Sequence, residues 1–218
     1  MNKAYYQIKD QCRQGLLQYL EKAFTLIPKK GAYKMLDIGC GTGVPTLCMA
    51  EHFSGFITAI DTDKPALDFF QDKLAENKLK HPIRIQEVSL FDFTAEKNSF
   101  DILLAEGFLN VVGFETGFAK ALEFLKPGGY FIIHDELKDH ESKIDFMAHQ
   151  NCTLSGSFYV DETIWWNNYY SPLDSHIKSI SDQGFKACFA SDSAEIAYFE
   201  TDQKVFRSIY YIICSKKL

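Results

Sequence analysis

Apolar positions along the chain switch repeatedly between a helical and a strand period. Between Tyr5 and Ile27, the residues Ile8, Leu16, Leu17, Leu20, Phe24 and Ile27 recur at helical intervals and stop before Pro28, which predicts one or two helices. Short apolar runs then alternate with helical patterns, predicting strands over 34–38, 55–60, 83–88 and 100–105 and helices over 45–53 and 64–77. Phe118, Ala121, Leu122 and Leu125 mark one face of a further helix, which Lys126-Pro127-Gly128-Gly129 must end, and a fifth strand is expected over 130–134. Strands that alternate with helices specify parallel βαβ units, a sheet covered on both faces and a ligand site beyond the carboxyl ends of the strands.

After Asp135 the pattern changes. A short helix is expected over 142–149, and an aromatic segment over 151–171 reads as a cap inserted into the same domain. Leu173, Ile177 and Ile180 predict a helix ending at Gly184, followed by a strand over 186–191, a helix over 193–204 and a last strand over 208–215. No repeat or linker rich in Pro, Gly and Ser interrupts the chain, so residues 1–218 are expected to form one domain: a helical lid over 1–30, a core over 34–135 and the cap.

Composition narrows the possibilities. With 218 residues, 46% hydrophobic and 24% charged, the chain is long enough to bury a large core and is not of the disordered type. A net charge of −6 argues against general affinity for nucleic acid. Cys12, Cys40, Cys48, Cys152, Cys188 and Cys214 are scattered, without metal-ligand spacing, and read as reduced thiols; no metal is expected. Lys3, Lys9, Asp10 and Arg13 break up the start of the chain, and no apolar run is long enough to cross a membrane, so a reducing cytoplasm is the expected location.

The chemistry concentrates where the strands end. Gly39-Cys40-Gly41-Thr42-Gly43 follows the first strand and opens a helix, a turn in which glycines permit positive φ and leave amides facing outward. A dinucleotide fingerprint would need its third glycine at position 44, where this chain has valine. Asp61 ends the second strand, positioned to accept hydrogen bonds from two ribose hydroxyls.

Taken together, the Asp37-Ile-Gly39-Cys-Gly41-Thr-Gly43 loop, the acidic strand end at Asp61, Asn98-Ser-Phe-Asp101 and Leu125-Lys-Pro-Gly-Gly-Tyr130 resemble the class I S-adenosylmethionine-dependent methyltransferases, over residues 34–135. The resemblance implies a doubly wound, seven-stranded, mostly parallel Rossmann-like sheet whose antiparallel last strand, 208–215, lies beside the fifth. It implies that S-adenosylmethionine is the cofactor, lined by Asp37, Gly39, Cys40, Gly41 and Gly43, with Asp61 and Thr62 at its ribose. Adenine would sit at Ser89 and Leu90, where many members have an aspartate in place of serine; Asp92 is a possible substitute. Glu106 stands where the family often has a residue near the methyl group, and its Ala105-Glu-Gly107 setting resembles the small-molecule branch.

A methyl acceptor would lie at the loops after the fourth and fifth strands, where Glu106, His134 and Asp135 are the candidate catalytic groups, none singled out as a base. Trp165, Trp166, Tyr169 and Tyr170 offer either a stacking wall, a cage for a cationic amine, or simply a docking patch for the cap. Tyr5 and Tyr6 are candidates to close a lid over the site. The expected partner is a small-molecule acceptor; a protein or RNA methyltransferase and a catalytically silent cofactor-binding protein are the alternatives. Oligomeric state is not legible.

Overall fold

The computed structural model describes residues 3–29, 31–76 and 81–215. Two amphipathic helices, α1 (Lys3–Gln14) and α2 (Leu17–Thr25), lead into β1 (Ala32–Ile38), α3 (Val44–His52), β2 (Ser54–Asp61), α4 (Lys64–Glu76) and β3 (Ile83–Glu87). The sequence pattern extends α4 by one residue, Asn77, which lies outside the described residues. The chain continues through β4 (Phe100–Glu106), α5 (Leu109–Val112), α6 (Phe114–Leu122) and β5 (Leu125–Glu136). Next come α7 (His140–His149), β6 (Cys152–Val160), α8 (Glu162–Trp165), a π-helical turn (Trp166–Tyr170), α9 (Ser171–Ser179), α10 (Gln183–Ala187), α11 (Ala190–Thr201) and β7 (Ser208–Ser215).

The seven strands form one sheet in the order β3-β2-β1-β4-β5-β7-β6, with β7 antiparallel to both of its neighbours and every other pairing parallel. This is the seven-stranded, mostly parallel, Rossmann-like sheet, with its antiparallel last strand beside the fifth, that the resemblance implies. Strand order reverses between β1 and β4, which opens a crevice at their carboxyl ends. Apolar layers close both faces. Leu36, Leu103, Phe118, Phe131 and Tyr211 are buried on one, and Leu20, Phe24, Met35, Leu104, Ile132 and Tyr210 on the other.

Two elements differ from the sequence pattern. The sixth strand is at Cys152–Val160, not at 186–191, so the first half of the segment read as a cap is the sheet's outer strand. As an edge strand it has a single neighbour and keeps Thr153, Leu154, Ser155, Ser157 and Tyr159 largely in solvent, which disguises its period. Residues 183–187 are helical because the Asp182 side chain accepts a hydrogen bond from the Phe185 amide, an N-cap. Leu125, expected on a helix face, instead begins β5: α6 stops at Leu122, Leu125 pairs with Phe100, and residues 126–129 bulge opposite Asp101 before Tyr130 pairs with Ile102.

Candidate active site

Parallel register aligns the strand ends into one row. Ile38 pairs with both Ile60 and Ala105, which sets Gly39 level with Asp61 on β2 and Glu106 on β4; Glu106 pairs with His134, and His134 with Tyr210. Five residues far apart in sequence therefore span the crevice side by side.

At one end of the row, Asp61 organises the glycine loop. Its Oδ2 accepts from the Gly41 amide at 2.7 Å, and Oδ1 from the Thr62 and Asp63 amides at 2.7 and 2.9 Å. Three of the carboxylate's roughly four lone-pair sites are thus taken, and Oδ2 retains acceptor capacity toward a hydroxyl. Gly39, Gly41 and Gly43 all adopt positive φ, and a Cβ at Gly41 would meet no atom within 4 Å, so that stretch of backbone is bare toward the crevice. Cys40 is buried and its thiol is pushed up by burial and by Asp37 and Asp61. Ser89 and Leu90 line a slot of about 100 Å³ with Ile38, Gly39, Asp61, Thr62 and Phe108. The Ser89 hydroxyl donates to Asp92 at 2.6 Å, so the serine and the neighbouring carboxylate act as one polar unit at that slot.

Asp37 lies beneath the loop, 1% exposed, accepting from the Thr46 hydroxyl at 2.6 Å. Burial pushes its pKa from 3.8 up to about 7; the Thr46 bond opposes this, the nearby charges of Glu106 and Asp61 add to it, and Arg13 opposes it. The folded chain thus holds a proton that the unfolded chain releases. That contribution to stability is complete below pH 3.8 and is lost as pH rises through about 7. Thermal melts from pH 4 to pH 8 should show wild type losing stability relative to Asp37→Asn; parallel profiles would contradict the protonated Asp37.

The centre of the row is Glu106, whose side chain is 7% exposed. Its Oε1 accepts from the Tyr210 hydroxyl at 3.1 Å and lies 3.5 Å from His134 Nδ1, whereas Oε2 is buried without a hydrogen-bond partner. Burial opposes ionisation, but facing His134, Arg13 and Tyr210 outweigh it and hold the carboxyl below its ordinary value. His134 stacks on Tyr210 with centroids 4.1 Å apart and on Trp165 at 5.7 Å. Trp165 Nε1 donates to Ser208 Oγ at 2.9 Å, and that hydroxyl contacts His134 Nε2 at 2.7 Å. Indole N–H is donor-only, so Ser208 Oγ accepts from Trp165; with His134 protonated at Nδ1, the Ser208 hydroxyl donates to Nε2 and His134 donates to Glu106.

Beside Glu106 opens a cavity of about 480 Å³, lined among others by Arg13, His134, Trp165, Tyr169, Tyr170 and Glu195. Asp135 borders it, but strand alternation turns its side chain to the opposite face from His134, where it forms an ion pair with Lys143 at 2.9 Å. Trp166 is not among the lining residues and stacks on Phe199. Nor are Tyr5 and Tyr6: Tyr5 donates to Asp192 at 3.1 Å, and Tyr6 stacks on Phe69 of α4 with its hydroxyl buried and unpartnered.

Three contributors escape a reading of the sequence. Tyr210 and Ser208 reach the site only through the insertion of β7 beside β5. Arg13, half-buried on α1, carries no motif, and no carboxylate lies within 4 Å of its guanidinium among the described residues.

A family model described as a methyltransferase domain matches residues 29–176. The chain belongs to this methyltransferase domain family. The matched stretch runs from before β1 to α9 and so contains Asp61, Glu106, His134, Trp165, Tyr169 and Tyr170. Relatives in the family differ in what they modify. A sterol 24-C-methyltransferase of Gibberella zeae is 23% identical over 76% of this chain and 42% of its own length. A ribosomal protein L11 methyltransferase of Acetivibrio thermocellus is 27% identical over 53% of this chain and 35% of its own. The chain spans less than half the length of the curated relatives it matches. Among solved structures, the [4+2]-cyclase SpnF shares the fold, with a TM-score of 0.78 at 18% identity over 92% of this chain and 81% of that one.

Within the family frame, two further features are plain. Among the described residues, no helix is long and apolar enough to cross a membrane. The six cysteines are all free thiols, and Cys48 is pushed up to about 12 by burial and neighbouring carboxylates.

Proposed function

We propose that the chain binds S-adenosylmethionine across the row Asp61–Gly39–Glu106 and methylates a small molecule in the cavity beside Glu106. The observation that carries this reading is the row itself: a ribose-type carboxylate, a glycine turn whose Gly41 backbone is bare, and a buried, half-satisfied carboxylate lead in order to a cavity of about 480 Å³.

The residues suit the cofactor part by part. Adenine is assigned to the slot at Ser89, Leu90 and Phe108, where Ser89 supplies the polar contact and Asp92, outside the slot lining, orients its hydroxyl. The ribose hydroxyls are assigned to Asp61. Arg13 is assigned to the carboxylate of the methionine portion, its guanidinium being uncommitted to any carboxylate of the described chain. Tyr6, buried beside Asp63, supplies a free hydroxyl near the ribose end. Bound there, the cofactor supplies an electrophilic methyl group on a positively charged sulfur. The protein's own work is positional: Glu106, braced by Tyr210 and His134, faces that charge, and the Trp165 and Tyr169 rings exclude water from the approach.

A protein acceptor is the second reading, favoured by the L11 methyltransferase relative and by Tyr198 and Val205, which are about half exposed at the cavity. Incubation with methyl-labelled S-adenosylmethionine and a cell extract separates the two. Label is expected in a small molecule other than S-adenosylmethionine, separated from it by chromatography of the fraction passing a small-pore ultrafilter; transferred label confined to macromolecules would replace the small-molecule reading with the protein one.

A further inference from the structure

We propose that the cavity beside Glu106 is an ammonium-binding site and that the methyl acceptor is a small aliphatic amine. This rests on the reading of methyl transfer above and adds the chemical class of the acceptor.

The first observation is Glu106 Oε2, a buried oxygen with no hydrogen-bond partner among the described residues; the oxygens of Asp135 also lack a hydrogen bond, but that carboxylate has the Lys143 charge beside it. A carboxylate oxygen can only accept, so what completes it must donate N–H or O–H or carry positive charge. Leaving such a group unpaired in a buried site costs considerably more than pairing it with a ligand cation.

The second observation is the balance of charge around the space. Arg207 lines the cavity but is held by Glu162 through two bonds of 2.6 and 2.8 Å, and Asp135 is matched by Lys143. Among the described residues that line the cavity, what remains is Glu106, Glu136 and Glu195 against Arg13. Tyr170 and Asn110 donate neutral hydrogen bonds to Glu195 and Glu136, which leaves their charges standing. An occupant carrying positive charge is therefore favoured, and an anionic acceptor is repelled.

The third observation is the aromatic wall. The π-helical turn inserts one extra residue between α8 and α9, so Trp165, Tyr169 and Tyr170 all line the cavity while Trp166 faces Phe199. Trp165 and Tyr169 meet edge to face, 6.0 Å apart, as do Tyr169 and Tyr170 at 5.1 Å. Rings set at right angles form corners that favour alkylammonium groups through their π faces. A neutral acceptor would gain the apolar contact but not the charge terms.

In the reaction the bound ammonium first gives its proton to water, since only the free base has a lone pair. That pair forms the new N–C bond as the C–S bond breaks; sulfur keeps the bonding electrons, and the product is the more methylated amine.

The protein's two tryptophans, Trp165 and Trp166, both lie in this segment, so intrinsic fluorescence reports on it directly. With S-adenosylhomocysteine saturating, titration with choline should change the emission saturably, and its neutral isostere 3,3-dimethylbutan-1-ol should bind at least tenfold more weakly. Glu106→Gln should weaken choline about tenfold and S-adenosylhomocysteine, which lacks the sulfonium charge that Glu106 faces, by a smaller factor. Tyr169→Leu, which leaves Glu106 in place, should weaken choline by roughly 3- to 30-fold, and Tyr169→Phe should restore it. Equal binding of the isostere, or S-adenosylhomocysteine binding without any choline binding, would overturn the proposal. So would a Glu106→Gln protein that loses S-adenosylhomocysteine but keeps choline, because the carboxylate would then serve the cofactor's own ammonium. Choline binding without S-adenosylhomocysteine binding would uphold the ammonium site and overturn the cofactor reading instead.

Discussion

Replacing Asp61 by alanine is expected to weaken S-adenosylhomocysteine binding by about 1.5–3 kcal/mol, or roughly 10- to 150-fold, the loss typical of hydrogen bonds to a charged acceptor. Two effects combine. The carboxylate is the only group assigned to the ribose hydroxyls, and the same carboxylate fixes the Gly41, Thr62 and Asp63 amides. Asp61→Asn separates them, because its amide oxygen still accepts while the charge is gone; it should fall between wild type and Asp61→Ala. Calorimetric titration checks all three proteins. Unchanged affinity in Asp61→Ala would place the ribose elsewhere.

Gly43→Ala is expected to be the most destabilising single change in the loop, at about 2–4 kcal/mol. Gly43 has φ +78°, and an added Cβ would stand 2.3 Å from the ring of Phe70, itself fully buried under the loop. Both the backbone and the ring would have to move. For a chain of this size the melting temperature should drop by roughly 5–15 °C in thermal denaturation. Phe70→Leu in the same chain should recover part of that loss, since it removes the obstructing ring atoms and leaves only the backbone cost. Gly41→Ala offers a contrast: with open space around its Cβ, it should perturb the fold less and cofactor binding more. A Gly43→Ala protein as stable as wild type would show that Phe70 yields freely.

Much of the sheet was legible because its central strands are buried on both faces and bracketed by turn residues. Met35 to Ile38 and Ile102 to Ala105 are all but fully buried, and such runs announce themselves without alternation. The outer strand β6 did not, because its polar positions face solvent and its aromatics suggested a binding insert. Residues 186–191 misled for the opposite reason: a short apolar pattern there is overridden by the Asp182 cap and by packing of Phe189 in the core of the C-terminal helices.

The site divides in the same way. The glycine loop and Asp61 lie close in sequence, so their motif exposes them. Glu106, His134 and Tyr210 become neighbours only through strand register, across a separation of 104 residues between Glu106 and Tyr210. Spacing alone could not reveal that Trp165, Tyr169 and Tyr170 line the cavity while Trp166 does not, because an ordinary α-helix places positions 165 and 169 on one face and carries 170 around it. The extra residue of the π-helical turn supplies the difference. Arg13 could not be found from sequence: one basic residue on a polar helix has no signature.

The most direct test is a crystal structure with S-adenosylhomocysteine bound. Adenine is expected at the slot of Ser89, Leu90 and Phe108, the ribose at Asp61 with a hydroxyl donating to Oδ2, and sulfur beside Glu106, facing the cavity of about 480 Å³. A ligand bound away from Asp61, or a sulfur directed away from that cavity, would contradict it.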